Sequence, residues 1–540
     1  MPVIPEEDSD SDDNDDEEYK PSSSLELESG SSGSFFHPNS QDKSREPKVI
    51  VYMNLLLQLF SVCRVESCGA AVDPANIETY ERGACLVVSG VCNQNHTFKW
   101  SSSPMRGTGH SARPEINILL TVYTLVCGMH VDQVIDYFKH LQLAVPGSRY
   151  FYQMFSSLVY KCIWAYWLQM QASLLQKVKS SGRPLHIAGD GKYDSPGFSA
   201  RYCTYYIMDL ADRSILALWV AIKHQVSSSS AMEPYACKTL LLFLVENCKL
   251  SISSLTTDRS SNIKQMMVTD ERLKGVKHCY DVWHFIKSIL KDLWDLSKRK
   301  YAEKLSLWIA SVTNMLWWSF STSNDEETLR EKILSIPRHL CNRHQFPSNK
   351  KHMECLHGDL SENERRKPWL KENSKEVEKL VLALRGHNDS RLNDLANMTE
   401  FHHTGFIENV NSLNNKYCSK TYVYGYESML VRAAITAIDH NMNLNRPQAV
   451  TKDGEARYRV ETNRAGSKYI IRDIKVPKDN SWRDKITDYI MECVDTDTVP
   501  VVDIPVGKDI PRNQAKIPKP SKSEAVKYHQ SRMRLRASQM

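Results

Sequence analysis

The chain has no apolar run that approaches the roughly 18 to 20 residues needed to cross a bilayer. Its N-terminus also lacks the basic stretch followed by an apolar one that is typical of a secretory signal. The 14 cysteines do not have the spacing of a disulfide framework. These absences predict no membrane partner and a reducing compartment. The length of 540 residues and the ordinary composition predict a globular protein of roughly two to four folding units.

Charge is unevenly distributed along the chain. The formal net charge is +5, but residues 6–18 (EEDSDSDDNDDEE) contain ten acids and no base, so about +15 remains on the rest. Charge repulsion and a shortage of large apolar residues predict that residues 1–47 form a disordered acidic and Ser-rich tail. Residues 506–540 are predicted to be a disordered basic tail, which either contacts phosphates or is a solvated tail or a localisation signal.

Residues 48–110 contain cysteine and histidine in two pairs separated by a short stretch, which is the pattern of a zinc ribbon. Cys85 is an alternative ligand, and unrelated buried thiols are the competing interpretation. The sequence predicts a small zinc-ribbon-like module with four ligands, namely Cys63, Cys68, Cys92 and His96.

Residues 111–183 have apolar side chains at intervals of three and four residues, which predicts helices. The aromatic residues of this region favour a packed core over a platform for base stacking. FYQMFSSLVY (residues 151–160) is compatible with a helix-turn-helix motif. The region is therefore predicted to be helical, and DNA binding by it stays open.

Residues 184–284 alternate between strand and helix patterns in the order β-β-β-α-β-α-β. PLHIAGDGKYD is predicted as the first strand, and ARYCTYYIMDL and ILALWVAI as a hairpin. SISSLTTD is predicted as the fourth strand, and VKHCYDVWH begins as the fifth. This is the order of the RNase H-like core, so the predicted fold class is α/β with an RNase H-like catalytic core.

Two aspartates stand where such a core would bring them together. The first strand lies beside the fourth, so Asp190 in the first would face Asp258 at the end of the fourth. Carboxylates this close repel unless a cation joins them, and Mg²⁺ or Mn²⁺ prefers oxygen ligands. Asp194 and Asp209 compete with Asp190, but a turn-forming role is favoured for both. Gly189 and Gly191 are predicted to leave room for metal and phosphate.

A third acid is expected on a helix that follows the fifth strand, and Glu408 begins such a helical run. Residues 285–395, which lie between, are predicted to be a helical insertion. Residues 396–446 supply the final helices of the core, and 447–505 form a C-terminal accessory segment. The insertion contains a possible second metal site, for which ordinary loop residues are the favoured interpretation, at Cys341, His344, Cys355 and His357.

Several of these motifs resemble transposases of eukaryotic cut-and-paste DNA elements, most closely the Kolobok-type superfamily. The resemblance covers about residues 48–480 and is carried by VCNQNHTFKW, GDGKYDSPG, TTDR, DVWH, HHTG followed by Glu408, and KYCSKTYVYGYESMLVRAAITAIDHNMNLNR. It implies a DDE catalytic core in which Asp190, Asp258 and Glu408 bind metal. It also implies a supporting role for Asp281 and His284, which match a D-x-x-H motif; stabilisation of the local turn is the alternative.

The predicted function is that of a nuclear DNA transposase that depends on Mg²⁺ or Mn²⁺, with Zn²⁺ in the N-terminal module. Its partners would be double-stranded DNA, at element ends and targets, and a second copy of the chain, since two ends must be brought together. A domesticated, non-catalytic DNA-binding or chromatin protein is the alternative, and a nuclease without strand transfer is a third possibility. Joined DNA products distinguish the first from the others.

Overall fold

The computed structural model describes residues 46–195, 200–402, 404–462, 469–505, 521–527 and 530. Almost all of the two tails predicted at 1–47 and 506–540 lies outside these ranges. Within the described ranges, no helix is both long enough and apolar enough to cross a membrane. The chain divides into two units at residues 504 and 505, and the elements below all belong to the first.

The N-terminal module is a small β-structure preceded by one short helix. Three of its strands form an antiparallel sheet in the order β1-β2-β3, and the last two pair with each other. The elements are α1 (Met53–Gln58), β1 (Ile77–Arg82), β2 (Cys85–Val91), β3 (Thr97–Ser101), β4 (Met105–Arg106) and β5 (Arg113–Pro114).

The region predicted to be helical consists of α2 (Glu115–Val126), α3 (Val131–His140), α4 (Ser148–Met154) and α5 (Tyr160–Ser181). A π-helical turn at Phe155–Val159 joins α4 directly to α5. FYQMFSSLVY is therefore continuous helix with no turn inside it, so it would supply a helix and not the turn of any helix-turn-helix motif. Phe151, Trp164 and Trp167 are buried, so these aromatic residues serve the core.

A five-stranded mixed sheet lies at the centre of the fold. Its elements follow one another along the chain as β6 (Leu185–Tyr193), β7 (Tyr202–Asp209), β8 (Ile215–Ile222), α6 (Met232–Leu242), β9 (Ile252–Thr257), α7 (Ser261–Thr269) and β10 (Lys277–Tyr280). The strand order is β10-β9-β6-β7-β8. β6, β7 and β8 are antiparallel neighbours, whereas β9 and β10 run parallel to β6. Strand β7 is buried throughout and β8 is buried at all but one residue, because helices cover both of their faces.

A helical segment separates β10 from the last helices that contact the sheet. It contains α8 (Val282–Ser297), α9 (Ile309–Ser321), α10 (Glu326–Leu340), α11 (Glu362–Arg365), α12 (Lys375–Arg385) and α13 (Ser390–Asn393). These helices enclose a hydrophobic core of their own, around Trp308 and Leu316, which is distinct from the core beneath the sheet. The segment therefore packs around its own hydrophobic core.

The elements that follow this segment pack first on the sheet and then on the helices that precede the sheet. The remaining elements are α14 (Gly405–Tyr417), α15 (Tyr426–Met442), β11 (Tyr458–Thr462), β12 (Tyr469–Asp473) and α16 (Ser481–Asp495). α14 and α15 pack on one face of the sheet and α6 packs on the other, which gives three layers. α16 packs against α2 and α5, where Trp482 is fully buried. The architecture is mixed α/β with a mixed sheet.

Candidate active site

The sheet places Asp190 and Asp258 side by side. In the parallel pairing of β6 with β9, Ala188 lies opposite Thr256, so two further residues along each chain bring Asp190 level with Asp258. Asp258 directly follows the last residue of β9, and its side chain is 43% exposed. Asp190 is thus fixed within a strand, whereas Asp258 stands at the carboxyl end of β9, where solvent and ligands can reach it.

Glu408 approaches the same edge from α14. It lies in the first turn of that helix, with a side chain that is 40% exposed. Three residues later, and hence on the same helix face, the Nδ2 of Asn411 donates a hydrogen bond of 2.6 Å to Oδ2 of Asp190. The other oxygen of Asp190 accepts from the Gly191 amide at 2.8 Å. Asn411 therefore ties the helix of the third acid to the strand of the first.

His284 connects the second acid to the third. Its Nδ1 lies 3.1 Å from Oδ1 of Asp258, and its Nε2 lies 3.1 Å from Oε1 of Glu408. Oδ1 of Asp258 is buried, and the angle to His284 is not that of a hydrogen bond, so this oxygen has no hydrogen-bond donor among the described residues. The contact between Asp258 and His284 is therefore purely electrostatic.

Asp281 holds His284 in place from the start of α8. It caps this helix, with Oδ1 accepting from the backbone amide of His284 at 3.0 Å. Its Oδ2 accepts from the Thr404 amide at 2.6 Å and also from the Thr404 hydroxyl. Asp281 also forms, with Asp258 and His284, a group whose ligand atoms lie close enough together to hold a metal ion. Because its carboxylate is fully buried and accepts three hydrogen bonds from α8 and Thr404, we assign it a positioning role.

Burial, with a smaller contribution from like charges, raises the pKa of two of the acids, Asp190 and Asp258. Burial, opposed by the charge of His284, raises the pKa of Asp258 to about 6, and the charges of Asp190 and Glu408 contribute to this rise. Burial also raises the pKa of Asp190, despite the Gly191 hydrogen bond, and the charge of Glu408 adds to that effect. Unfavourable carboxylate clusters of this kind are typical of functional sites, because stability alone does not require them.

A further acid that was not predicted from the sequence, Glu233, lies near the site in the first turn of α6. Burial, with the charges of Asp190 and Asp258, raises its pKa to about 7. An acid in the first turn of a helix is ordinarily explained by the helix dipole, so its position alone gave no signal. Asn411 was missed as well, although its spacing of three residues from Glu408 pointed to a shared helix face.

The competing aspartates have other partners. Oδ1 of Asp194 accepts from the amides of Arg201 and Tyr202, at 2.9 and 3.1 Å, and so shapes the turn between β6 and β7. Asp209 is fully buried in an ion pair with Arg183 and also accepts from the Ala211 amide. Neither carboxylate faces the cluster around Asp190, as the turn-forming interpretation requires.

The two glycines beside Asp190 do not leave room for a ligand, and that interpretation is wrong. A Cβ at Gly189 would collide with the ring of Tyr205, and one at Gly191 would lie 3.0 Å from Cγ of Glu233. Alternate residues of a strand point to opposite faces, so the space beside the glycines lies on the α6 side of the sheet. They permit close packing there, while Asp190 points toward α14.

Two Cys/His groups lie outside the acidic cluster, and either could bind a metal ion. In the N-terminal module, the ligand atoms of Cys63, Cys68, Cys92 and His96 all lie within 4.8 Å of one another. Cys85, the alternative ligand, instead contacts Ser101 Oγ at 3.1 Å. In the insertion, the structure replaces one predicted member, because His339 and not Cys341 joins His344, Cys355 and His357. Cys341 lies beyond the end of α10, whereas His339 is on its inner, buried face.

His284 gives the site a defined pH dependence. Burial alone would lower the pKa of His284, but its contacts with Asp281 and Glu408 and the charge of Asp258 raise it to about 10. An unfolded histidine titrates near pH 6.5. Between about pH 6.5 and about pH 10 the folded state therefore binds more protons than the unfolded state, so this contribution to stability is complete below that window and is lost as pH rises through it.

We therefore expect the melting temperature of the metal-free protein to fall more steeply with pH in the wild type than in His284→Gln across this window. Thermal unfolding in chelator-treated buffers measures both slopes. His140→Gln, which changes an exposed histidine, is the matched control and should behave like the wild type. Parallel slopes for the wild type and His284→Gln would contradict the assignment of the cationic state.

No family model matches the chain, and no curated protein is similar to it.

Proposed function

We propose that the chain is a DDE-type DNA transposase of the Kolobok-type group, with Asp190, Asp258 and Glu408 as its metal-binding acids. The observation that carries the proposal is the meeting of these acids, from elements up to 218 residues apart in sequence (408 minus 190), at one edge of the sheet. There they are linked through His284 and Asn411. A purely structural role would not require three neighbouring carboxylates, two of which, Asp190 and Asp258, have pKa values raised by burial and by nearby negative charge.

The central sheet supports an RNase H-like core. That fold requires the first strand to pair with both the second and the fourth, and β6 does pair with both β7 and β9. It also requires the first three strands to form an antiparallel meander and the last two to run parallel to the first. The strand order β10-β9-β6-β7-β8 has this arrangement.

The donor set suits a hard divalent cation. Asp190, Asp258 and Glu408 offer carboxylate oxygens, which Mg²⁺ and Mn²⁺ prefer, and Oδ1 of Asp258 is buried without a hydrogen-bond donor among the described residues. When bound, the cation would supply Lewis-acid stabilisation of the phosphate and activation of water. Since His284 contacts both Asp258 and Glu408, we expect the cation to compete with the imidazolium for these two acids.

The other residues of the site orient the acids. Asn411 and the Gly191 amide fix both oxygens of Asp190, so this side chain loses little freedom when a ligand binds. Asp281 orients His284 through its backbone amide and joins α8 to the segment before α14. Glu233 adds negative potential from the other face of the sheet. Preorganisation of this kind reduces the reorganisation that the reaction would otherwise require.

Double-stranded DNA as the partner, nuclear localisation and a homodimer all follow from the proposed activity. The chain outside residues 6–18 carries about +15, which favours binding to phosphates through release of counterions. Synapsis of two element ends would require at least two copies of the chain.

The direct test uses the purified full-length protein with Mg²⁺ or Mn²⁺ and the DNA that flanks its own coding sequence. Cleavage at the element ends and joining to a target DNA are expected. Cleavage without joining would identify a nuclease instead. Binding of DNA with neither reaction, in either metal, would favour the domesticated DNA-binding protein and would overturn the proposal.

We also propose that the N-terminal group binds Zn²⁺. Cys63 Sγ lies 3.9 Å from His96 Nδ1, and Cys68 Sγ lies 4.0 Å from Cys92 Sγ. The edges of a tetrahedral site with three cysteines and one histidine are about 3.5 to 3.8 Å, so small shifts would suffice. The His96 amide also donates to Cys92 Sγ at 3.4 Å, and such hydrogen bonds support a thiolate ligand.

Cys92→Ser is expected to lose about one zinc ion per chain relative to the wild type, because it removes one of four ligands. Zinc content after gel filtration, measured by atomic emission, gives this difference. Cys85→Ser is the matched control, since it changes a buried thiol of the same module that is outside the group, and it should retain the wild-type content. Equal zinc in both variants would exclude the site.

A further inference from the structure

The loop that follows α10 folds back on itself as a small hairpin. The amide of Cys355 donates to the carbonyl of His344 at 2.8 Å, and the amide of Phe346 donates to the carbonyl of Met353 at 2.5 Å. Gln345 and Glu354 form an antiparallel bridge between these two hydrogen bonds. The hairpin therefore brings His344 and Cys355 next to each other, although they are 11 residues apart (355 minus 344).

Four side chains converge at the open end of this hairpin. His339 comes from the last turn of α10, His344 and Cys355 from the two arms of the hairpin, and His357 from just beyond it. His339 Nδ1 lies 3.4 Å from Cys355 Sγ, and His357 Nε2 lies 3.2 Å from His344 Nδ1. All four ligand atoms lie within 4.8 Å of one another.

These separations are those of a tetrahedral metal site. With Zn–N distances of about 2.0–2.1 Å and a Zn–S distance of about 2.3 Å, the edges of the tetrahedron are about 3.3–3.4 Å between nitrogens and about 3.5–3.6 Å between nitrogen and sulfur. The two observed distances, 3.2 and 3.4 Å, are each within about 0.2 Å of these values. Two of the six ligand–ligand separations therefore already match a tetrahedral site, and none of the other four exceeds 4.8 Å.

The hydrogen bonds on the far side of two rings are the second, independent indication. Nδ1 of His357 donates to the carbonyl of Gly358 at 2.7 Å, and Nε2 of His344 donates to Oδ1 of Asn342 at 3.1 Å. In the neutral rings, the two inward nitrogens therefore carry lone pairs, and these lone pairs face each other at 3.2 Å. Facing lone pairs repel unless a cation lies between them, and an oxygen acceptor on the outer nitrogen is typical of histidine ligands to metals.

We propose that His339, His344, Cys355 and His357 bind one zinc ion, which fastens the hairpin to the end of α10. Three imidazoles and one thiolate select a borderline-soft ion such as zinc over magnesium or calcium. Four protein ligands complete a tetrahedron, so the site is structural and not catalytic. It is independent of the proposed transposase activity, because none of its ligands belongs to the acidic cluster.

A second clamp holds the same hairpin from its tip. Glu331 on α10 accepts hydrogen bonds from the backbone amides of Lys350, Lys351 and His352 at 2.8, 2.7 and 2.8 Å. The zinc ion and Glu331 would thus fix both ends of the hairpin on one helix. The backbone of Lys350 and Lys351, at the tip of the hairpin, would then be fixed relative to α10.

Zinc content of the full-length protein tests the site. The double variant His344→Ala/Cys355→Ser is expected to contain about one zinc ion per chain fewer than Cys341→Ser. Cys341→Ser is the matched control because Cys341 lies in the same loop and outside the group. This difference is independent of the N-terminal site, which is intact in both proteins. Equal zinc content in the two variants would overturn the proposal.

Cobalt substitution keeps the proposal falsifiable if the double variant folds poorly. The Cys92→Ser protein, whose N-terminal group is incomplete, is loaded with Co²⁺ and examined by absorption spectroscopy. We expect the d–d bands of tetrahedral cobalt together with one thiolate-to-cobalt charge-transfer band. Addition of Cys355→Ser to that protein should remove the charge-transfer band, whereas addition of Cys341→Ser should leave it unchanged. Absence of tetrahedral cobalt in Cys92→Ser would contradict the site. The short distance between His344 and His357 would then be explained by a proton shared between their facing nitrogens.

Discussion

Asp258→Asn is expected to reduce DNA cleavage by about 1,000-fold or more while DNA affinity stays within a few-fold of the wild type. In the proposed transposase, loss of one metal-binding carboxylate would remove about 4 kcal/mol of transition-state stabilisation, which corresponds to this factor. The substitution keeps the size of the side chain, so the sheet's edge stays intact. Single-turnover cleavage of end-containing DNA measures the rate, and fluorescence anisotropy with the same DNA in Ca²⁺ measures binding.

The same substitution should have the opposite effect on stability. Because the pKa of Asp258 is raised in the folded state, its ionisation destabilises the metal-free protein as pH rises through about 6. The neutral amide removes this cost, so we expect Asp258→Asn to melt at least as high as the wild type near pH 8 without metal, and to gain less from added Mn²⁺. Loss of activity together with unchanged or higher stability cannot be explained by unfolding.

Asp194→Asn is the matched control. It also removes a carboxylate next to β6, but its Oδ1 can still accept from the amides of Arg201 and Tyr202. Cleavage within a few-fold of the wild type is expected. If Asp258→Asn cleaves as fast as Asp194→Asn, Asp258 is not a metal ligand and the DDE assignment fails.

The strands could be predicted from the sequence because each has a local pattern. YCTYYIMD and ILALWVAI are largely apolar at consecutive positions and do not alternate with polar residues. Such a run predicts a strand that is covered on both faces. Asp190 and Asp258 also stood out, since a carboxylate inside or directly after an apolar strand is uncommon. Their adjacency then followed from the RNase H-like core, which the order of strands and helices along the chain indicated.

The parts that could not be predicted depend on contacts between distant segments. His339 lies in the last turn of a helix whose own pattern explains its burial, so nothing in the local sequence linked it to Cys355. Cys341 is nearer than His339 to the hairpin along the chain. However, α10 ends at Leu340, and the Cys341 thiol does not join the group. Glu233 and Asn411 are residue types that are common on helices, and only the fold shows which carboxylates they approach.

Asp281→Ala is expected to lower the free energy of unfolding by about 2–4 kcal/mol and to lower cleavage by a larger factor than stability alone explains. The carboxylate accepts three hydrogen bonds in a fully buried position, and an ordinary helix cap contributes only about 1 kcal/mol. Its loss leaves the Thr404 amide and hydroxyl without their acceptor. Denaturant unfolding of the metal-free protein measures the cost.

The reason for the added loss of activity is geometric. Asp281 joins the start of α8, which carries His284, to Thr404, which directly precedes the helix of Glu408. Thr404→Val in combination with Asp281→Ala completes a double-mutant cycle, and we expect the two changes to be non-additive by at least about 1 kcal/mol, because they share one buried hydrogen bond. Ser374 caps α12, and its hydroxyl accepts a single hydrogen bond from the Val377 amide. Ser374→Ala is therefore the control for ordinary capping. If Asp281→Ala costs no more than Ser374→Ala, the carboxylate is only a helix cap, and the register between His284 and Glu408 must be held by other contacts.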